Sequence, residues 1–203
     1  MGTSPNVTWY KGRLSRQQRW HALGATGATV WLTGLPASGK STLAAALEER
    51  LVAMGRWAYL LDGDNLRHGI SSDLGFSADD RKTQICRVGD IAALFADAGA
   101  VAIAALVSPF HAERCSVRER HERHGLDFIE VYLDTRLETC AARDPKGLYA
   151  RARAGEIQNL TGIDDPYEPP TRPDLRVTED MTVDAAVEAV LALLPTNQKG
   201  TPT

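Results

Sequence analysis

One eight-residue segment constrains the fold of this chain more than any other. Residues 34–41 read G-L-P-A-S-G-K-S, a complete G-x-x-x-x-G-K-[ST] pattern. In such a loop the backbone N–H groups surround phosphate oxygens, a lysine reaches the same oxygens, and a serine hydroxyl can ligate Mg²⁺. A β-rich apolar run at residues 28–33 precedes it, and residues 42–54 predict a helix that Gly55 ends. This strand–loop–helix context predicts a nucleotide-phosphate loop at the positive end of a helix.

The loop and the first residue after it are therefore the predicted nucleotide contacts. Lys40 is predicted to reach the β- and γ-phosphates, and Ser41 is the predicted metal ligand. The full set is Gly34, Leu35, Pro36, Ala37, Ser38, Gly39, Lys40, Ser41 and Thr42.

Composition narrows the class of protein. A length of 203 residues suits one domain, and a net charge of −3 provides no basic field for nucleic acid. No apolar stretch is long enough to span a membrane, and the first residues do not resemble a signal peptide. We therefore expect a cytoplasmic globular protein that binds neither nucleic acid nor membranes.

The cysteines and histidines show no metal-ligand spacing. Cys86, Cys115 and Cys140 are widely separated and fall in predicted helices, which indicates reduced thiols with packing roles. His121 and His124 are expected on a solvated helix face.

Apolar runs alternate with helical segments from residue 28 onward. Further strands are predicted at residues 57–61, 101–107, 127–133 and, more weakly, 175–178. Continuous apolar strands separated by helices indicate a parallel sheet that is covered on both faces. We expect an α/β fold built around the phosphate loop (P-loop), with a five-stranded, mostly parallel sheet and helices on both faces.

Local signals place several helix ends and one long loop. Residues 77–80 and 135–138 resemble capping boxes, and Asp144-Pro145 offers an N-cap and a first helical position. Residues 183–194 carry the apolar stripe of a terminal helix. Residues 156–174 hold four prolines with little periodicity, which predicts a lid or binding loop.

The two ends of the chain differ from its middle. Residues 1–27 are polar and basic, with Trp9, Tyr10 and Trp20 among arginines, and are expected to form an arm that packs on the body or on a partner subunit. Residues 28–195 are predicted to form the P-loop domain, and residues 196–203 a disordered tail.

Polar residues follow the predicted second and third strands. Because ligands of open parallel sheets bind beyond the carboxyl ends of strands, Asp62, Asp64 and Ser108 are candidates for catalysis or binding. One carboxylate could accept a proton while the other holds a water of the Mg²⁺ shell or a substrate hydroxyl. The alternatives are structural: Asp64 could cap a helix, and Ser108 could be the N-cap of a helix that begins at Pro109.

Several arginines could bind sulfate or phosphate oxygens. Arg67, Arg81, Arg87 and Arg114 have the planar forks that suit this role. Each could instead be solvated surface. Phe76 could stack on a base or serve as a core or loop anchor.

Taken together, the motifs resemble those of the adenylylsulfate kinase family, which phosphorylates the ribose 3′-hydroxyl of adenosine 5′-phosphosulfate. The resemblance runs from about residue 6 to residue 194. The phosphate loop is generic, and the more specific stretches are D-G-D-N-L-R-H-G at residues 62–69, D-P-K-G-L-Y at 144–149 and T-G-I-D-D-P-Y-E at 161–168.

The resemblance implies a role for each matching residue. Asp62 becomes the base toward the 3′-hydroxyl, and Lys40 and Ser108 complete the implied catalytic set, Ser108 at a position that the family describes as a phosphoserine intermediate. Asp64 would assist at the metal or the substrate, and Lys146 would help to close a loop over the two nucleotides.

The resemblance also implies substrate-binding residues. Arg67 and Arg81 would contact the phosphosulfate and ribose, and Phe76 would stack on the adenine. The full set is Asp64, Arg67, Phe76, Arg81, Gln84, Val107, Lys146 and Leu160.

Several positions depart from the family pattern. Gln84 replaces an asparagine that touches the substrate, and Thr83 and Cys86 replace a glutamate and an arginine. His111 replaces an arginine, and Leu160 replaces the aromatic residue that sandwiches the substrate base. Loss of base stacking could cost about 1–3 kcal/mol of binding free energy.

The sequence thus predicts a kinase that transfers the γ-phosphoryl group of ATP, with Mg²⁺, to adenosine 5′-phosphosulfate. One alternative is a related P-loop kinase with a different small hydroxylated or nucleotide substrate. Another is a nucleotide-binding protein without turnover that joins a sulfate-activating complex. Family precedent suggests a homodimer and a possible association with ATP sulfurylase.

Overall fold

The computed structural model describes residues 6–8 and 10–197 of the chain. Five strands form one sheet in the order β2-β3-β1-β4-β5, and every neighbouring pair is parallel. The predicted five-stranded sheet is therefore confirmed, and it is wholly parallel rather than mostly so. The strands are β1 (Ala28–Thr33), β2 (Ala58–Asp62), β3 (Val101–Ala105), β4 (Asp127–Asp134) and β5 (Leu175–Thr178).

Helices connect the strands and cover both faces of the sheet, as predicted. They are α1 (Arg16–Leu23), α2 (Lys40–Ala53), α3 (Gly63–Leu66), α4 (Ala78–Ala98), α5 (His111–Arg123), α6 (Leu137–Arg143), α7 (Leu148–Arg153) and α8 (Val183–Leu193). None of the described helices is both long and apolar enough to cross a membrane.

The sheet separates two apolar clusters. Alternate residues of β1 point to opposite sides, so that Val30 and Leu32 pack with α2 and α8 while Trp31 packs with α4 and α5. Every residue of β1 and β3 is buried. Burial on both faces is why these strands read as continuous apolar runs in the sequence.

The turn from β1 into α2 requires glycine at its first position. Gly34 has φ 154°, and a Cβ placed on it would lie 2.8 Å from the backbone oxygen of Leu133 and from Ser38 Oγ. Gly39, at the N-cap of α2, has the left-handed φ of 104°. The loop thus passes close to β4 and delivers Lys40 at the first position of the helix.

The predicted helix starts are only partly correct. Ser77 caps α4 as expected, and its hydroxyl accepts from the N–H of Asp80. The capping box at residues 135–138 is wrong, because Thr135 donates to the backbone oxygen of Ser38 instead, and α6 begins at Leu137 without a side-chain cap. Asp144 is likewise not an N-cap, since it ends α6 and α7 begins only at Leu148.

Helix α1 packs on the end of α4. Arg16 and Arg19 both form ion pairs with Asp97, and Trp20 Nε1 donates to the backbone oxygen of Asp97 at 3.0 Å. Trp9 and residues 198–203 lie outside the described residues, so the predicted domain limits and the predicted disordered tail stay predictions.

The expectation that His121 lies on a solvated face is wrong. Its side chain is fully buried, with Nδ1 2.9 Å from the backbone oxygen of Val117 and Nε2 2.9 Å from Thr29 Oγ1. His124 is exposed, as expected. Sequence periodicity missed His121 because α5 is strongly polar, and only packing against β1 shows which face is inside.

Candidate active site

A cavity of about 670 Å³ opens at the carboxyl ends of the strands. It brings together nearly all of the residues that the sequence predicted for the site. Two residues, Gly34 and Leu35, do not line it but contact Lys40 through their carbonyl groups. The predicted residues that do line it are Pro36, Ala37, Ser38, Gly39, Lys40, Ser41, Thr42, Asp62, Asp64, Arg67, Phe76, Arg81, Gln84, Val107, Ser108, Lys146 and Leu160.

Lys40 is held inside the phosphate loop. Its Nζ donates to the backbone oxygen of Gly34 at 2.9 Å and to that of Leu35 at 2.7 Å. Burial lowers the pKa of this ammonium to about 8, against the weaker opposing effects of Cys140, Asp64 and Asp62. The loop thus holds a desolvated ammonium group that could attract an anionic ligand.

Asp62 faces the phosphate loop from the end of β2. Its Oδ2 accepts from Ser41 Oγ at 3.0 Å, while Oδ1 accepts from the N–H groups of Asp64 and Asn65 at 2.9 and 3.2 Å. Asp62 therefore caps α3, and the alternative that Asp64 is the cap is wrong. Because capping uses only Oδ1, the other oxygen stays directed at the loop.

Asp64 and Lys146 form an ion pair at the cavity. The hydrogen bond to Asp64 raises the pKa of Lys146. Both side chains are mostly exposed, 60% and 62% respectively, so solvent screens the attraction and the pair can open at little cost. The pair connects the end of β2 with the α6–α7 connection.

Arg67 and Phe76 support each other in the wall of the cavity. Arg67 Nη1 donates to the backbone oxygen of Gly75 at 2.6 Å, and the guanidinium lies 4.4 Å from the centre of the Phe76 ring. Phe76 is 61% exposed, so it is not a core residue. One face of its ring meets Arg67, and the side chain remains accessible to a planar ligand.

Arg81 joins the loop before α4 to the proline-rich segment. Its Nε donates to the backbone oxygen of Phe76 at 3.0 Å, and its Nη1 donates to Thr161 Oγ1 at 2.6 Å. Nη2 also donates to the backbone oxygen of Asn159. The guanidinium therefore lies at the point where residues 156–174, the predicted lid, meet the body.

Two of the residues that differ from the family pattern, Gln84 and Leu160, make contacts within the protein. Gln84 Nε2 donates to the backbone oxygen of Gly63 at 2.7 Å and so supports the turn between the two aspartates. Leu160 is buried in an apolar cluster with Cys140 and Tyr149, next to the phosphate loop. Its side chain anchors the proline-rich segment to α6 and α7.

Ser108 is buried and already hydrogen-bonded. Its Oγ accepts from Trp31 Nε1 at 3.1 Å, and the residue is 3% exposed with a φ of 39°. The alternative that it caps a helix beginning at Pro109 is wrong, because α5 starts at His111 with Phe110 as its N-cap.

Sequence reasoning missed two residues that shape the loop. Thr135 Oγ1 donates to the backbone oxygen of Ser38 at 3.0 Å, and Tyr149 hydroxyl donates to that of Pro36 at 2.9 Å. Thr135 directly follows β4, so the strand-end rule that selected Asp62 could have found it. Tyr149 offered no such signal apart from its place in D-P-K-G-L-Y.

Arg87 and Arg114, two of the four predicted anion-binding arginines, do not line the cavity. Arg87 pairs with Asp73 on the surface, and Arg114 pairs with Glu130 in the interior. Among the described residues, no group of three or more histidine, cysteine, aspartate or glutamate side chains could hold a metal ion by itself.

The chain matches the family model described as adenylylsulphate kinase over residues 26–178. The adenylyl-sulfate kinase of Clostridium acetobutylicum is 50% identical over 91% of this chain and 94% of its own length. That of Enterobacter sp. strain 638 is 52% identical over 93% of each chain.

Solved structures agree with the sequence matches. The APS kinase of Mycobacterium tuberculosis in complex with AMPPNP and APS has a TM-score of 0.81 and 49% identity, covering 83% of this chain and 98% of that one. A hexameric APS kinase from Thiobacillus denitrificans has a TM-score of 0.62 and 33% identity; the match covers 83% of this chain and 29% of that one.

Proposed function

The chain belongs to the adenylylsulfate kinase family, and we propose that it transfers the γ-phosphoryl group of ATP to the ribose 3′-hydroxyl of adenosine 5′-phosphosulfate. The observation that carries this proposal is the position of Asp62, whose Oδ2 lies 3.0 Å from Ser41 Oγ of the phosphate loop. A carboxylate beside bound phosphates is well placed to receive the proton of an attacking hydroxyl.

In the proposed reaction, the 3′-oxygen attacks the γ-phosphorus and the bond between the γ-phosphorus and the β–γ bridging oxygen breaks. The hydroxyl proton goes to the Asp62 carboxylate, and ADP leaves with the bridging electrons. Lys40 and the loop N–H groups stabilise the charge on the transferring group, since Lys40 is desolvated and already next to the loop. Arg67, Arg81 and Phe76 hold the acceptor.

The donor set fits Mg²⁺, which we propose as the metal. Ser41 hydroxyl and Asp62 carboxylate are hard oxygen ligands at one point of the cavity, 3.0 Å apart. Mg²⁺ in kinases is held by one or two such groups together with phosphates rather than by a protein cage. When bound, it would neutralise phosphate charge; Ser41 would be its direct ligand, and Asp64 would hold a water of its shell while Asp62 receives the proton.

We propose direct transfer rather than a covalent stop at Ser108. Its hydroxyl is buried and accepts from Trp31, whereas in-line transfer needs only positioning and charge neutralisation. The catalytic role predicted for Ser108 therefore becomes one of shaping the end of β3.

A coupled assay tests the function. Purified protein with ATP and Mg²⁺ should release ADP only when adenosine 5′-phosphosulfate is present, and the product should carry a 3′-phosphate. ADP release that does not depend on the phosphosulfate would contradict the proposal. A panel of other nucleotides and small alcohols would identify a different acceptor. The panel is needed because Leu160 is aliphatic, whereas the family has an aromatic residue at this position.

A calorimetric titration covers the case of binding without turnover. If the phosphosulfate binds but no product forms, the chain is a nucleotide-binding member of a sulfate-activating complex. The hydrogen bond between Ser41 and Asp62, together with a Lys40 held inside the phosphate loop, favours the enzyme.

We further propose a cytoplasmic homodimer that can associate with ATP sulfurylase. Family precedent supports this assembly, and the hexamer of the Thiobacillus denitrificans relative is a precedent for larger ones. Sedimentation velocity of the protein alone, and with an added ATP sulfurylase, measures both associations.

A further inference from the structure

A buried arginine outside the cavity connects two of the cavity's walls. Arg114 on α5 is 1% exposed, and its Nε donates to Glu130 Oε1 at 2.9 Å. Nη1 donates to the backbone oxygen of Ser108 at 2.7 Å, and Nη2 donates to that of Glu168 at 2.7 Å. We call Arg114 with these three partners, Glu130, Ser108 and Glu168, the Arg114 clamp.

Two further contacts join the same segments. Glu168 N–H donates to the backbone oxygen of Pro109 at 2.8 Å. Tyr167 hydroxyl lies 3.0 Å from Thr33 Oγ1, which donates to the backbone oxygen of Val107 at 2.7 Å. The end of β3 and residues 167–168 are therefore held together at several points, with Arg114 at the most buried of them.

Both of the segments that Arg114 joins lead to the cavity. Val107, Ser108 and Pro109 line it directly. Residues 167–168 follow Leu160 and Thr161, which also line it, and Thr161 accepts from Arg81. Arg114 does not line the cavity, so any effect on a ligand there must act through the two walls.

A gain in stability does not explain why a charged arginine is buried at position 114. The positions of its hydrogen-bond partners explain it better. Burial of an ion pair costs desolvation free energy, and apolar side chains of similar size often replace such a pair without loss. An apolar side chain could not donate to two carbonyl groups on separate segments, whereas the planar guanidinium does so in one fixed arrangement. One of those carbonyls belongs to Ser108, whose left-handed φ of 39° is unusual for a serine and needs outside support.

We propose that Arg114 is a positioning residue for the phosphoryl acceptor: it sets the distance between the end of β3 and the segment that carries Thr161. This inference rests on the proposed function, because it assumes that these walls contact the acceptor. The clamp contacts β1 at Trp31 and Thr33, which precede the phosphate loop, and it makes no hydrogen bond with residues 34–41. We therefore expect nucleotide affinity to depend much less on Arg114 than acceptor kinetics do.

The test compares two conservative variants of the full chain. Arg114→Lys keeps the charge and removes the fork. The matched control, Arg118→Lys, alters a neighbour that pairs with Glu130 and Asp174 but does not touch Ser108 or Glu168. For each protein we would measure KM and kcat for the phosphosulfate, Kd for AMPPNP, and amide hydrogen exchange of residues 160–168.

We expect Arg114→Lys to raise the KM for the phosphosulfate or lower kcat by about tenfold or more, as displaced binding groups commonly do. AMPPNP affinity should change less than about twofold, and exchange of residues 160–168 should accelerate by about tenfold, because the segment loses its buried attachment. Arg118→Lys should leave all of these values within about twofold of the wild type. Unchanged acceptor kinetics in Arg114→Lys, or equal changes in both variants, would overturn the proposal.

Two other outcomes are also decisive. If the wild type fails to phosphorylate the phosphosulfate, the proposed function is wrong, and unchanged exchange in Arg114→Lys then overturns the clamp separately. If Arg114→Lys does not fold, Tyr167→Phe removes only the hydroxyl contact with Thr33. That variant should accelerate exchange of residues 160–168 and raise the KM for the acceptor, and wild-type values for both would refute the positioning role.

Discussion

Asp62 combines two duties that a single substitution can separate. Its Oδ1 caps α3 and its Oδ2 faces Ser41. Asp62→Asn should keep the cap, because asparagine caps helices as well as aspartate does. It should lower kcat by about 10²–10⁴-fold, since the proton acceptor is lost.

Asp62→Ala is the comparison for Asp62→Asn, because alanine can neither cap α3 nor accept the proton. Besides the loss of kcat, it should unfold more easily by about 1 kcal/mol, the usual cost of a lost N-cap. Chemical denaturation measures the stability and the coupled assay measures turnover. Near-normal turnover in Asp62→Asn would remove Asp62 from the proton transfer.

Lys40 makes nucleotide binding depend on pH. With its pKa lowered to about 8 by burial, the free protein loses the ammonium charge above that pH. A polyphosphate binds the charged form, so AMPPNP affinity should fall as the pH rises from 7 to 9.5, by up to about tenfold for each pH unit beyond the pKa. Titrations at constant ionic strength measure this, with Lys40→Met as the control that should bind weakly at every pH. A flat wild-type profile would contradict the expectation.

The lowered pKa of Lys40 affects stability in the opposite direction: nucleotide affinity should fall as the pH rises, whereas stability should increase. Between pH 8 and 10.5 the unfolded chain holds a proton on Lys40 that the folded loop has released. The contribution of Lys40 to the free energy of unfolding should therefore rise with pH in this window.

At the scale of elements, the packing of α5 on β1 creates an acid-sensitive contact. His121 connects Val117 of α5 to Thr29 of β1, and burial lowers its pKa below the usual 6.5. As the pH falls through 6.5, the unfolded chain gains a proton that the folded state resists, so stability is lost. The contribution is at most about 1.4 kcal/mol for each pH unit.

Denaturation at pH 7.5 and 5.5 tests this effect. His121→Gln should show a smaller loss of stability on acidification than the wild type, because the buried titration is gone. The exposed His124 offers the matched control, and His124→Gln should behave as the wild type does. Equal losses in all three proteins would mean that His121 does not titrate in this range.

Elements were easier to predict than their ends. Strong apolar runs identified β1, β3 and β4, because strands buried on both faces are mostly apolar. Their buried polar residues, Thr29, Thr33 and Glu130, each have a hydrogen-bond partner.

The capping pattern at Thr135 was wrong because its hydroxyl donates to the phosphate loop. At Asp144 the position was wrong, since this residue ends α6, although its carboxylate accepts from the N–H of Ala150 in α7. A local pattern cannot show that a hydroxyl has a better partner on the phosphate loop.

At the scale of the whole molecule, ligands should stabilise the fold by mass action. AMPPNP with Mg²⁺ at 100 times its Kd should raise the free energy of unfolding by about 2.7 kcal/mol, provided that only the folded state binds it. Thermal denaturation with and without ligand measures the shift, and chelation of the metal should reduce it. Lys40→Met should lose most of the shift, and a full shift in that variant would contradict the role of Lys40.

The amino-acid sequence by itself determined the phosphate loop, the order of strands and helices, and the residues at the strand ends. Each of these follows from short-range chemistry: glycine conformation, apolar runs and neighbouring motif residues. Only the tertiary structure decided that Asp62 Oδ2 faces Ser41, that His121 is buried against Thr29, and that Arg114 joins the end of β3 to the proline-rich segment. Those outcomes depend on partners far away in the chain, since a polar side chain takes its role from whatever group packing places within hydrogen-bonding reach.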